Sequence, residues 1–298
     1  MKIRFLTLAA VATMMMVVMA ACNHKKSHDD DEDDDEDIEL TDDEDEDDAF
    51  RMKTVKFDKS DDHATVSFEF DYPLGNSVVA DSIRAFILRI DSSTGNGEDI
   101  SYTGPVKNGA EFIKYFGKKV FESLSEQHAA DLEDVNKDRE EGEDPIYFGA
   151  YSQAKEYKLE YDAPHYVTYV VDGDDYLGGA HGLPYCYGAT FSKADGHMLG
   201  NPVKDTDSPA FHKLLIEGVA SYFSEDGVTE DNLHEWLLVE PDNLTGPANE
   251  PFLVKNGVRF IYSAYEIAPF AAGLPEFTIP YDKIKPFLTT EAKRLIED

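Results

Sequence analysis

The chain has 298 residues, with 27 Lys and Arg against 61 Asp and Glu and a formal net charge of −34. Neutralising a phosphate backbone takes a Lys/Arg surface that so acidic a protein lacks, which argues against nucleic acid as a partner. There are two cysteines, Cys22 and Cys186, which allow one disulfide at most.

In chain order, residues 1–22 read as a lipoprotein signal peptide. Lys2 and Arg4 form a basic start, Phe5 to Val18 an apolar stretch, and Met19-Ala20-Ala21-Cys22 a cleavage box whose cysteine becomes the lipidated N-terminus. The apolar run is short of the ~20 residues that a membrane span needs. No later segment is long and apolar enough to span, so the expected anchor is Cys22 with its acyl chains. With Cys22 lipidated, no disulfide forms within the chain. Cys186, between Tyr185 and Tyr187, then reads either as a nucleophilic thiol or as a small buried hydrophobe; nothing in its neighbourhood favours the thiolate.

Residues 23–50 read as an acidic disordered tether. Of residues 29–48, 17 of 20 are Asp or Glu. Such a run repels itself and buries nothing. Its carboxylates suit calcium, but it lacks the glycine turn and spacing of a loop site, so no metal is expected. An acidic stretch soon after the lipid-bearing cysteine resembles the surface-export signals of lipoproteins in some Gram-negative bacteria. That resemblance implies outer-membrane display at the cell surface, the alternative being the periplasmic face. Asn23 is not the Asp that favours inner-membrane retention in enteric bacteria. Residues 49–298 keep 44 acidic residues against 23 basic, a net −21, which draws basic macromolecules or cations at long range or serves solubility alone.

The remainder reads as α+β, antiparallel sheets with helices on one face, in two small halves, 51–145 and 146–298. Val55 to Tyr72 alternates as a strand does, with Val66, Phe68 and Phe70 on one side. Val79, Ile83, Phe86, Ile87 and Ile90 then recur at helical spacing. A Gly- and Asn-bearing loop fills 92–109. Phe112, Ile113, Phe116, Val120, Phe121 and Leu124 mark a second helix, blemished by Gly117. The polar stretch 126–145 is the expected boundary. Tyr157 to Phe191 reads as three antiparallel strands, closed by Lys193-Ala194-Asp195-Gly196. Ser208-Pro209 opens a helix with Ser as cap and Pro first. Thr229 to Leu233 starts a shorter helix carrying Trp236. Asn256-Gly257 signals a hairpin with a type I′ turn over Phe252–Tyr262. Phe277–Pro280 is a last strand, and helix interrupted at Pro286 closes the chain.

Two segments follow no regular period: Tyr176-Leu177-Gly178-Gly179-Ala180-His181-Gly182 and Tyr265-Glu266-Ile267-Ala268-Pro269-Phe270-Ala271-Ala272-Gly273. Gly178 and Gly179 allow positive φ. His181 is a possible acid or base with Asp174, Asp175 or His165, or a ligand; the bland reading is a histidine hydrogen-bonded to a neighbouring strand. No spacing of His or Cys supports a metal. Glu266 is a possible catalytic carboxylate, or a tether that accepts backbone N–H groups or pairs with His181 to join the two motifs. The candidate positions are Gly178, Gly179, His181, Gly182, Tyr265, Glu266, Pro269 and Gly273, with no residue assigned as catalytic. No nucleophile elbow, phosphate loop or dinucleotide fingerprint is present, so no cofactor is expected.

In this order, the strands, the Gly-Gly-Ala-His-Gly motif, the hairpin and the Tyr-Glu-Ile-Ala-Pro-Phe-Ala-Ala-Gly motif resemble an extracytoplasmic domain of unknown function. That domain is found in the lysozyme-sensing anti-sigma factor RsiV and beside the catalytic domain of the peptidoglycan deacetylase PdaC. The likeness covers roughly residues 155–290, and 55–125 suits the smaller partner domain of that family. It implies a non-catalytic binding or sensing module for lysozyme or cell-wall material. A sigma-binding segment and a deacetylase domain are not seen in this chain. A cell-wall hydrolase using His181 and Glu266, and a structural envelope lipoprotein, are the competing readings.

Overall fold

The computed structural model describes residues 50–90, 101–139 and 143–297. The leader 1–22 with Cys22, and the tether up to residue 49, lie outside the described residues, as do residues 92–100 of the loop expected over 92–109. Among the described residues no helix is long and apolar enough to cross a membrane.

The single strand expected over 55–72 is two. β1 (Arg51–Ser60) and β2 (Ala64–Leu74) form an antiparallel hairpin. Asp61 makes the turn: its Oδ1 accepts the N–H groups of His63 and Ala64, and its own N–H donates to the Ala64 carbonyl. An Asx turn of this kind leaves no break in the alternation of the flanking residues, so periodicity alone runs through it.

α1 (Val78–Ile90) and α2 (Gly109–Asn136) then cross over to β3 (Tyr151–Asp162), which pairs parallel with β2. α2 starts on an Asn108 cap, whose side chain accepts the Glu111 N–H. It continues eleven residues beyond 125, through the stretch expected as a boundary, because that stretch is rich in good helix formers and buries His128. Gly117 is a packing requirement: a Cβ there would sit 2.2 Å from the Phe57 ring of β1.

β3, β4 (Tyr166–Tyr176) and β5 (Leu183–Ser192) form the expected antiparallel set, ending on a short β6 (Met198–Leu199). The six strands lie in sequence order in one sheet. The division expected at 145 therefore falls between strands that are hydrogen-bonded to each other. The apolar cores divide elsewhere: one joins α1 and α2 to residues of β2–β5, the other joins the C-terminal elements.

α3 (Pro209–Tyr222) begins on Ser208, which accepts the Phe211 N–H, with Pro209 first, as the sequence implied. The segment from Thr229 is a 3-10 helix over Glu230–Glu235 with a Thr229/Asn232 capping box. β7 (Phe252–Val254), β8 (Gly257–Ile261) and β9 (Glu276–Pro280) make a second antiparallel sheet. The hairpin is where it was expected, but its turn is not type I′. Gly257 pairs with Val254 inside the ladder, so the two-residue loop is Lys255-Asn256, and neither has positive φ. α4 (Tyr281–Ile284), a 3-10 turn through Pro286 and α5 (Thr290–Ile296) close the chain.

Over β4 and β5 the layers run helix, sheet, sheet, helix. Val167, Tyr169 and Val171 face the α1/α2 side, while Val170 joins Cys186, Phe252, Val254 and Ile261 on the other. Burial on both faces explains the unbroken β-branched and aromatic run of β4. The sheets are tied by two buried threonines: Thr168 Oγ1 donates to the Leu253 carbonyl (2.6 Å) and Thr190 Oγ1 accepts the Leu253 N–H (3.1 Å). α3 covers the outer face of the small sheet through Phe211, Leu215 and Val219.

Candidate functional site

The two irregular motifs meet. The β4–β5 loop turns on Gly178 and Gly179, both left-handed at φ +91° and +92°, a conformation that L side chains pay for sterically. Tyr176 Oη donates to the Gly179 carbonyl at 3.2 Å and steadies the loop. His181 then projects at the surface. Its Nδ1 lies 2.8 Å from the Gly182 carbonyl, which can only accept, so the neutral ring carries its proton on Nδ1. Nε2 is left to accept the Tyr265 hydroxyl at 3.1 Å. The imidazole lies flat on the Phe270 ring, with centroids 3.6 Å apart and planes 16° from parallel.

The second loop is held from beneath. Glu266 accepts two backbone N–H groups, from Ala248 and Ser263, each at 2.7 Å. The Tyr222 hydroxyl donates to the Ala272 carbonyl and the Leu238 N–H to the Ile267 carbonyl. Ile267 and Ala268 are buried, Pro269 is exposed and leads into a 3-10 turn over Phe270–Ala272, and Gly273 ends it at φ +75°. Tyr265 is the strained member, a non-glycine residue at φ +66° whose side chain is 52% exposed.

The junction expected between Glu266 and His181 is thus made by Tyr265 and Phe270 instead. Both oxygens of Glu266 are engaged by main-chain donors, which is the tether role weighed for it. Gly182 packs against Asp174: a Cβ at that glycine would lie 2.3 Å from a carboxylate oxygen. Burial holds the Asp174 carboxyl above its usual range, partly offset by His181 nearby. His165 contributes its backbone carbonyl to Lys193. Cys186 is buried, and burial, reinforced by the Asp172 charge, pushes its thiol up to about 12, which makes it an inert packing residue. Among the described residues, no group of three or more His, Cys, Asp or Glu is placed to hold a metal ion. Phe270 was legible as part of its motif, but its stacking partner was not. Tyr222 and Ala248 gave no signal, since nothing in their spacing relates them to a loop tens of residues away.

Sequence reasoning also missed a second histidine constellation. His63 in the β1–β2 turn and His128 on α2 face each other Nδ1 to Nδ1 at 3.0 Å. His128 Nε2 lies 3.1 Å from the Gly149 carbonyl, so it donates there and its Nδ1 accepts from His63. Phe148 and Tyr151 pack edge-on against His128, and the Tyr151 hydroxyl donates to Asp131 at 2.6 Å.

No curated protein matches the chain. A solved structure of a DUF3298 family member from Bacteroides fragilis aligns over 84% of this chain and 98% of its own, with a TM-score of 0.64 and 18% identity. A DUF3298 family protein from Pseudomonas aeruginosa PAO1 aligns over 82% and 95%, with a TM-score of 0.49 and 13% identity. The family model described as "Protein of unknown function (DUF3298)" matches residues 207–282, which run from the start of α3 to α4 and include the whole Tyr265–Gly273 loop. The chain carries a DUF3298 domain, of unknown function, at residues 207–282.

Proposed function

We propose that the protein is an envelope lipoprotein, anchored through Cys22 to the outer membrane and displayed at the cell surface. Its loops 177–182 and 263–273 form a non-catalytic recognition surface for a basic protein such as lysozyme. The observation that carries this reading is the surface cluster of His181 and Tyr265, both exposed, on the half-buried Phe270 ring. Strain at an exposed aromatic, maintained by a rigid support, marks positions kept for contact more than for stability. The acidic chain favours cationic partners at long range. The motifs' likeness to the domain in RsiV and PdaC points the same way. The competing hydrolase reading needs a free carboxylate, and Glu266 spends both oxygens on backbone amides.

The test is binding of the purified protein to c-type lysozyme at low and moderate salt, beside an equally basic unrelated protein. Selective binding that survives moderate salt and falls with Tyr265→Ala supports the reading. Binding no better than the control, or indifferent to Tyr265→Ala, overturns it, and binding to cell-wall glycan is then the next measurement.

A further inference from the structure

We propose that the outer edge of β5 is a strand-addition site for an extended segment of a cationic protein, a surface separate from the His181–Tyr265 cluster. β5 pairs with β4 at ten positions, from Leu183 to Ser192, but β6 covers its other edge only at Thr190 and Phe191. The direction of the backbone groups is set by two hydrogen bonds. Lys193 N–H donates to the His165 carbonyl, toward the β4 side, whereas Ser192 N–H donates to the His197 carbonyl, on the β6 side. Backbone groups of a strand alternate with period two, so positions 190, 188, 186 and 184 all point outward. Position 184 is a proline, which has no N–H to offer, and proline within sheets is confined to such open edges. Among the described residues no strand lies beside Gly188, Cys186 and Pro184.

The edge is recessed. Its stretch Tyr187–Thr190 forms part of a groove of about 320 Å³, walled by Phe86 and Met198 on the helix side and by Pro251 and Phe252 on the small-sheet side, and the edge continues past the groove to Cys186 and Pro184. Phe252 packs so closely on Gly188 that a Cβ there would lie 2.6 Å from its ring. An extended peptide laid in this groove finds backbone partners along one side and apolar walls for alternate side chains on the other two, the geometry by which strand addition gains both affinity and specificity. A second copy is a poor occupant, since each body carries a net −21 over residues 49–298 and the pair repels. A basic segment instead meets Glu250, which is exposed at the groove rim and in no ion pair with a described residue, while Arg89, the one cation on the lining, leaves the overall acidic field of the protein to favour a cationic occupant.

The test uses the full-length protein with an alternating Lys/Val octapeptide, the same peptide N-methylated along one backbone edge, and a Lys/Gly peptide of equal charge. Affinity is read by fluorescence anisotropy and amide exchange by NMR. The expected result is slower exchange at Gly188 and Cys186 with the first peptide, about tenfold weaker binding after N-methylation, and a similar loss in Glu250→Lys. Glu250 is exposed, so that variant leaves the core intact. Equal binding of all three peptides, or unchanged exchange at both amides, overturns the proposal. Protection that rises with protein concentration without peptide assigns the edge to a second copy and overturns the cationic occupant.

Discussion

The two histidine constellations use the same chemistry to opposite ends. Beneath the β1–β2 turn, His128 is 1% exposed, ringed by Phe148 and Tyr151 and bonded on both ring nitrogens. At the β4–β5 loop, His181 is also bonded on both nitrogens and stacked on an aromatic ring, yet it sits at the surface on a left-handed loop. Hydrogen-bond satisfaction is equal in the two places, and burial is what differs. The first pair fastens three chain segments from inside, while the second ties two loops together at the surface.

That contrast is broken or sharpened by substitution. The largest effect is expected from His128→Ala, which opens a cavity and strands the Gly149 carbonyl and the His63 ring, at about 3 kcal/mol. His181→Ala should cost less than about 1 kcal/mol, because an exposed site is not left with a cavity. Urea midpoints measure both, and equal losses would erase the distinction. Next comes Gly117→Ala, where relief of helix-interior glycine is outweighed by collision with Phe57, for a net loss of about 1–2 kcal/mol. Smaller and opposite in sign, Tyr265→Gly should raise stability by about 1 kcal/mol by releasing left-handed strain, while it weakens partner binding. A variant that gains no stability would show that the loop stores no strain there.

The smallest effects are in pH dependence, where the two regions differ in sign. Near His63, partial burial raises the Asp61 carboxyl, but the Ala64 and His63 N–H groups and the Ser125 hydroxyl outweigh it and leave it lowered. A lowered carboxyl contributes stability above the usual carboxylate range, and that stability is lost as pH falls through the folded value. Near His181, Asp174 is raised by burial, so the folded state binds more protons than the unfolded one just above the usual value of 3.8. Stability then falls as pH rises through that window. Asp61→Asn should therefore lose stability at neutral pH and flatten the acid limb, whereas Asp174→Asn should gain it. Urea titrations from about pH 3 to pH 7 test the pair, and same-sign changes would refute the assignment.

What the sequence by itself determined was local. The Ser208-Pro209 start of α3, the apolar face of α1, the β3–β5 run and the positive φ of Gly178 and Gly179 follow from caps, periodicity and steric tolerance, all of which act within a few residues. The β-branched and aromatic run of β4, Tyr166 to Val171, is likewise local in sequence, whereas the second sheet that covers it is not. Only the tertiary structure decided the rest. The parallel pairing of β2 with β3 joins residues some ninety positions apart across two helices, and no local pattern specifies which edge a returning strand will take. Gly257 pairs with Val254 on one side and Pro280 on the other, so it belongs to the ladder and the turn falls on Lys255-Asn256, not on the Asn-Gly pair that suggested another turn. Glu266 was diverted from His181 because Ala248 and Ser263 offered it unpaired N–H groups at close range, and a carboxylate takes the donors that folding brings to it. The His63–His128 pair and the open edge of β5 belong to the same class: each depends on where distant segments stop, a consequence of packing that a one-dimensional reading does not contain.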